Sequence, residues 1–174
     1  MNIEYLKDIL LKENHTIVIY KSDASVVVSD DRGVAPLMKL LNEDREQLRD
    51  SLVADKVIGK AAALLMVYAG VKEVFTPTIS APAVVVFEKH NVKVTYDKVV
   101  ERIINRKGDG LCPMETLCLN VENPEEAFDV IRHRVTESLR IGRDKSRPYN
   151  DNFSAPIHIS FQVKDFSLYD VDSR

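Results

Sequence analysis

Two cysteines among 174 residues are too few for the ligand set of a structural zinc site or for a disulfide framework. A bridge between Cys112 and Cys118 would close only a very short loop. Reduced thiols are therefore expected. No apolar run approaches the ~18 residues of a membrane span. Met1 to Glu13 carries Glu4, Lys7, Asp8, Lys12 and Glu13 among its apolar positions, which no signal peptide does. The expectation is a cytoplasmic chain with no membrane partner. Positive charge is not in excess either: 24 Lys and Arg against 27 Asp and Glu leave a net charge of −3. That argues against a nucleic-acid binder, whose footprint is usually basic. The four histidines, His15, His90, His133 and His158, are scattered and form no i, i+4 pair, so no metal site is assigned. Repeats and low-complexity stretches are also missing.

What the chain does have is enough apolar sequence, 45% of it, for one domain with a sizeable core. Ile3, Leu6, Ile9 and Leu10 recur at helical spacing and predict a first amphipathic helix. Two β-branched runs, 15–21 and 25–29, flank Ser22-Asp23-Ala24 and predict a hairpin. Gly33 and Pro36 open a short helix, and 43–50 is a charged loop. From Asp55 to Tyr68 nearly every residue is apolar, which predicts a central helix covered on most sides and stopped by Gly70.

Alternating strands and helices are expected next: strand 71–76, helix 82–90, strand 92–95, helix 98–105. A fifth strand is read at 116–121, where Leu117, Leu119 and Val121 alternate with Thr116, Cys118 and Asn120. Asn123-Pro124-Glu125-Glu126 has the cap, the proline and the first-turn carboxylates of a helix start, and that helix is expected to end at Gly142. Residues 143–174 form an extension to the 1–142 domain, a polar linker followed by one alternating strand at 157–163. Such a strand must find an edge, in its own sheet or in a neighbouring chain, which makes a homo-oligomer through the C-terminal strand an expectation. The predicted architecture is an α/β fold, a three-layer α/β/α sandwich with a mixed five-stranded sheet and an N-terminal hairpin.

The segment Arg106-Lys107-Gly108-Asp109-Gly110-Leu111-Cys112-Pro113-Met114-Glu115 crowds two cations, two carboxylates, two glycines and a thiol into one loop, which is the composition of a binding site rather than of a core element. Ser51-Leu52-Val53-Ala54-Asp55-Lys56-Val57-Ile58-Gly59-Lys60-Ala61-Ala62-Ala63, followed by Val99 to Glu115, resembles a family of prokaryotic proteins of unknown function with a cytidine-deaminase-like fold. The resemblance covers residues 3 to 140. Deaminases of that fold hold zinc at two helix starts, through a His/Cys-Ala-Glu triplet and a Pro-Cys-x-x-Cys motif. By this resemblance the corresponding positions are Val53-Ala54-Asp55 and Ser80-Ala81-Pro82-Ala83, so the metal ligands are missing and the glutamate is shortened to aspartate. No metal and no cofactor are expected, and hydrolysis by zinc-bound water is not.

On this reading Asp55 caps the central helix, with Lys56 and Lys60 one turn apart beside it. Arg106 and Lys107 offer a bidentate fork and a point charge for a phosphate or carboxylate, or they form an ordinary basic helix end. Asp109 is either a turn former or a ligand contact. Glu115 either orients a base or braces the loop by an ion pair. Cys112 is a thiol, and free thiols in general, titrating at about 8.5, are only a few per cent thiolate at neutral pH. Neighbouring cations would make it a nucleophile or a redox-sensitive thiol, while Leu111 and Met114 equally suit a small buried hydrophobe.

Three functions follow from these residues. The first is a zinc-free protein binding a small polar, anionic or nucleotide-like ligand between Asp55, Lys56, Lys60 and the 106–115 loop. The second is an enzyme with Cys112 as nucleophile and Asp55 or Glu115 moving the proton. The third is a non-catalytic interaction module that uses its added strand.

Overall fold

The computed structural model describes residues 1–143 and 162–164. In chain order the elements are α1 (Ile3–Lys12), β1 (Ile17–Tyr20), β2 (Val26–Ser29), α2 (Ala35–Asp44), a 3-10 turn (Arg45–Leu48), β3 (Leu52–Asp55), β4 (Val57–Ile58), α3 (Lys60–Ala69), β5 (Glu73–Ser80), α4 (Ala81–Lys89), β6 (Lys93–Val100), α5 (Pro113–Leu117), α6 (Pro124–Arg143) and β7 (Gln162–Lys164).

The strands make one mixed open sheet. β1 is antiparallel to both β2 and β3, whereas β3 and β4 run parallel to β5, and β5 parallel to β6. The directions of β2, β3, β5 and β6 therefore agree, and their carboxyl ends lie at one end of the sheet. β3 and β4 are two parts of a single line beside β5, so the seven strands form six lines.

The ladder between these two parts is interrupted for a chemical reason. Ala54 pairs with Phe75 and Val57 with Thr78 in the same register, which sets Lys56 opposite Pro77. Proline has no N–H to give to a ladder, and the Lys56 N–H bonds the Thr16 carbonyl on the other side at 3.0 Å. The inward face changes phase at this gap. Val53 and Ile58, and likewise Val74 and Ile79, belong to the same core cluster although each pair lies an odd number of positions apart.

Period-two alternation distributes the apolar side chains between two cores. Val18, Val26, Val28, Leu52, Ala54 and Phe75 face α1, whose Ile3, Leu6, Ile9 and Leu10 cover them. Each of these side chains larger than alanine contributes roughly 1.5–3 kcal/mol by leaving water. The opposite faces of these strands carry Ile17, Ile19, Val27, Val53 and Val74, which meet α2, α3, α4 and α6 in the larger core. α3 lies in the middle of it, with Lys60 to Met66 all buried. Gly70, at φ +77°, ends α3 in the left-handed conformation. Tyr68 of α3 stacks on Phe128 of α6 with 4.8 Å between ring centroids, tying the last helix to the central one.

Several expectations need correction. The central helix begins at Lys60, not at Asp55, because 52–55 is a strand buried on both faces; a fully apolar run does not distinguish such a strand from a covered helix. Residues 93–100 form one long strand where a short strand and a helix were expected, since β5 extends to Ser80 and gives the Val-rich segment a partner along its whole length. The expected strand 116–121 is a short helix and turn. Met114, Cys118 and Val121 are its buried apolar residues, and their spacing is helical. Of the five strands expected, 116–121 is lost and the line 52–58, which the sequence reading missed, takes its place; Gln162–Lys164 makes the sixth line.

Residues 162–164 pair with β2 of this same chain. The polar linker and the remainder of the expected strand, 157–161, lie outside the described residues. No described helix is long and apolar enough to cross a membrane.

Candidate functional site

Because β2, β3 and β5 share a direction, the helices that follow them, α2, α3 and α4, all begin at one end of the sheet. Ligands of open α/β sheets are met at such an end, where helix N-termini and strand carboxyl ends converge. Here the core turns polar. Ser29, Asp55 and Thr76 are 2%, 5% and 0% exposed. Ile17 pairs with Ser29 on one side and with Asp55 on the other, so these three share a face, the one Ile17 turns to α2–α6. Thr76 follows on β5, beside the gap in the ladder.

All three polar side chains bond the residue two positions on. Asp31 N donates to Ser29 Oγ at 3.1 Å, Val57 N to Asp55 Oδ1 at 3.1 Å and Thr78 N to Thr76 Oγ1 at 3.3 Å. β2 and β3 thus end at a local side-chain bond, and β5 spans Pro77 with one of its own.

Asp55 is the exceptional member. Burial pushes its carboxyl up to about 7, only partly offset by the hydrogen bond from Val57, and no cation contributes. A desolvated carboxyl without a counter-ion favours its neutral form. At neutral pH it is an acid and a base in comparable amounts, the state a proton-transfer or hydrogen-bonding group needs.

A second cluster forms at the start of α3. Gly59 is the N-cap residue and has no side chain to offer. Glu115, from the far loop, fills that role: its Oε2 accepts from the Lys60 N–H at 2.8 Å. A Cβ on Gly59 would run into that carboxylate and come within 3.1 Å of Ile103. The Lys60 side chain, 8% exposed, donates to the Leu119 carbonyl at 2.9 Å and to Glu122 Oε1 at 2.6 Å. Glu122 is thus held by Lys60 and also lies 3.5 Å from Lys89 Nζ, and these cations keep the Glu122 carboxyl below the usual carboxylate range. Burial pushes the Cys118 thiol up to about 11, Lys60 opposing and Glu115 reinforcing the shift. Two buried oxygens here lack a partner, Glu115 Oε1 and Ser80 Oγ. They sit at neighbouring helix starts, since Ser80 caps α4 and Gly59 follows Ile58, the register partner of Ile79.

The structure thus joins Lys60 and Glu115 and separates the other expected residues. Lys56 lies at the bend between β3 and β4, not one helical turn from Lys60, and its ammonium bonds Asn14 O at 2.8 Å and Oδ1 at 2.6 Å, just beyond α1. Asp55 caps no helix. Arg106, Lys107 and Asp109 are exposed on the loop, where Asn105 Nδ2 donates to Asp109 Oδ1 at 2.8 Å and Ile104 bridges Leu111. Cys112 is half-buried and stands at the N-cap of α5, its N–H bonded to the Ile103 carbonyl at 2.8 Å.

Ser29, Thr76 and Glu122 were missed by the sequence reading. The only advance signal was a hydroxyl two positions before a polar residue at the end of each strand. Among the described residues, no three His, Cys, Asp or Glu side chains gather so as to hold a metal ion. A groove of about 830 Å³ lies elsewhere, between the loop and α6. Asn105, Leu111, Pro113, Asp129, His133 and Glu137 are among the residues that line it. It touches the far side of the loop and includes none of Asp55, Lys60 or Glu115.

Comparison with known proteins agrees with this architecture. A DUF1893 family protein from Thermotoga maritima, known from a crystal structure, is similar at a TM-score of 0.69 and 27% identity, over 75% of this chain and 88% of that one. No protein with a curated description matches. The family described as a domain of unknown function, DUF1893, matches residues 5–135. With β1 to β6 and most of its length inside that match, the chain belongs to the DUF1893 family.

Proposed function

We propose that the chain binds a small polar ligand at the carboxyl end of its sheet, on a three-layer, cytidine-deaminase-like α/β/α frame that works without zinc. The observation that carries this reading is Asp55, buried, unpaired with any cation and raised to about 7. A group of that kind is costly to keep in a core that only needs packing, and it is suited to a partner that both gives and accepts hydrogen bonds. Glu115 Oε1 and Ser80 Oγ, buried without partners at the starts of α3 and α4, add two acceptors for donor groups. A neutral, nucleobase-like face fits this chemistry better than an anion does, because Lys60 is already held by Glu122 and Lys56 by Asn14. An anionic end of the ligand would be met by Arg106 and Lys107 on the exposed loop, with Asp109 shaping their turn.

Thermal-shift measurements with nucleobases, nucleosides and nucleotides test the proposal. A ligand present at about a hundred times its Kd stabilises by about 2.7 kcal/mol, which for a domain of this size raises Tm by roughly 5–10 °C. Asp55→Asn is expected to remove most of that rise. If no compound shifts Tm, or if the shift survives Asp55→Asn unchanged, the reading fails.

A further inference from the structure

We infer that the open edge of the sheet, β6, is the contact by which two copies of this chain join into one continuous antiparallel sheet. The two edges of the sheet are treated differently. β2 is covered by Gln162–Lys164 of the same chain. At the other edge β6 is eight residues long and, among the described residues, pairs only with β5. A long unpaired edge is a template for another strand, and proteins normally shorten, bend or cover it. β6 is not shortened and holds one register with β5 from Lys93 to Val100. It also exposes Tyr96 and Val99, 39% and 45% accessible, and α4, the helix packed beside it, exposes Val85 at 58%. These apolar side chains gather where a second copy would lie.

The sequence of β6 selects the register. A twofold axis perpendicular to a sheet pairs residues of equal parity, because opposite residues share a face. Centring the axis on Asp97 or Lys98 sets like charges against each other. Centring it on Tyr96 leaves all three charges opposite uncharged residues, Lys98 against Val94, Asp97 against Thr95 and Lys93 against Val99. Centring it on Thr95 sets Lys93 against Asp97 of the second copy, twice, and Val94 against Tyr96, also twice. Opposite charges placed directly across a ladder favour pairing and like charges oppose it. Both groups are accessible for this contact: Lys93, near Glu73 at 2.7 Å, is 72% exposed, and Asp97, 4.0 Å from Lys7, is 56% exposed.

Light-scattering mass of the full chain over a dilution series tests the contact, with substitutions that test the register. A mass twice that of the chain is expected, and a mass of one chain at every concentration overturns the proposal. Lys93→Asp and Asp97→Lys, made singly, are each expected to raise the dimer dissociation constant by about tenfold or more, and the double exchange to restore it. A dimer indifferent to all three overturns the assigned edge. Thr95→Cys, in a Cys112→Ser background, places two thiols on the axis. Directly opposed Cα atoms lie about 4.5–5.5 Å apart, within disulfide range, so mild oxidation is expected to link the dimer. A dimer that does not link at Thr95→Cys but does link at Tyr96→Cys overturns the register. None of these readouts depends on a ligand.

Discussion

Glu115 Oε2 accepts a hydrogen bond from the main-chain N–H of Lys60 at 2.8 Å, across a separation of 55 positions in the chain. A helix whose own cap residue is glycine is thus capped by a carboxylate from a distant loop. That one contact fixes the 106–115 segment against the start of the central helix. It also places a negative charge where the helix dipole favours it.

Removing the carboxylate should therefore cost stability at a distance from the loop. Glu115→Ala leaves the Lys60 N–H without its acceptor and is expected to lower the unfolding free energy by about 1–3 kcal/mol, with Glu115→Gln costing less because its amide oxygen still accepts. Gly59→Ala has ordinary backbone geometry, φ −99°, and is opposed chiefly because its Cβ meets Glu115, with Ile103 a looser second contact. Its cost should shrink in the Glu115→Ala background by about 1 kcal/mol or more. Urea unfolding of the four combinations decides this, and strictly additive costs would remove Glu115 from its capping role.

Asp55 sets a pH dependence whose sign is determined. Its carboxyl titrates near 7 in the folded protein against 3.8 for the ordinary group, so between those values the folded state holds a proton that the unfolded state has lost. The contribution of Asp55 to stability is fully present below pH 3.8, falls as pH rises through 7 and is level above it, with a total change of about 4 kcal/mol as an upper estimate. Asp55→Asn removes this slope and should unfold at higher urea than the parent at pH 8 while differing little at pH 4. Parallel curves for the two proteins across that range would sink the assignment.

The two thiols should separate by reactivity. Cys118 is fully buried and its thiol is pushed up to about 11, so it is protonated and shielded at neutral pH; Cys112 is half-buried. Intact-mass analysis after mild alkylation of the native protein should show a single adduct, on Cys112, with the second appearing only in denaturant. Native labelling of Cys118 would contradict its burial.

Local patterns carried much of the fold into the sequence. The first helix, the hairpin, the helix at α4 and the cap at Asn123 are encoded within a few residues each, and Asn123 Oδ1 does accept from Glu125 N and Glu126 N, at 2.8 and 3.2 Å. What was hidden depends on partners far along the chain. Residues 52–55 become a strand because β1 and β5 flank them, and 98–100 because β5 runs on to Ser80. The site followed the same division. The unusual composition of the loop could be read directly and the family resemblance pointed to Asp55, but the alignment of Ser29 and Asp55 across β1 is a matter of register. The union of Lys60 with Glu122 is a matter of packing, and no spacing rule contains either.

The meeting of Lys56 and Pro77 gives the sheet a seam. Hydrogen bonds hold β3 to β5 before it and β4 to β5 after it, while on its other side β5 pairs with β6 in one register throughout. In the ladder, β4 is tied to β5 by the short pairing of Val57 and Ile58 alone, with Ile58 anchored in the core. If that stretch opens locally, Leu52 to Ala54 stay paired and the Asp55 carboxyl is met by a proton or a small molecule before the rest of the core unfolds.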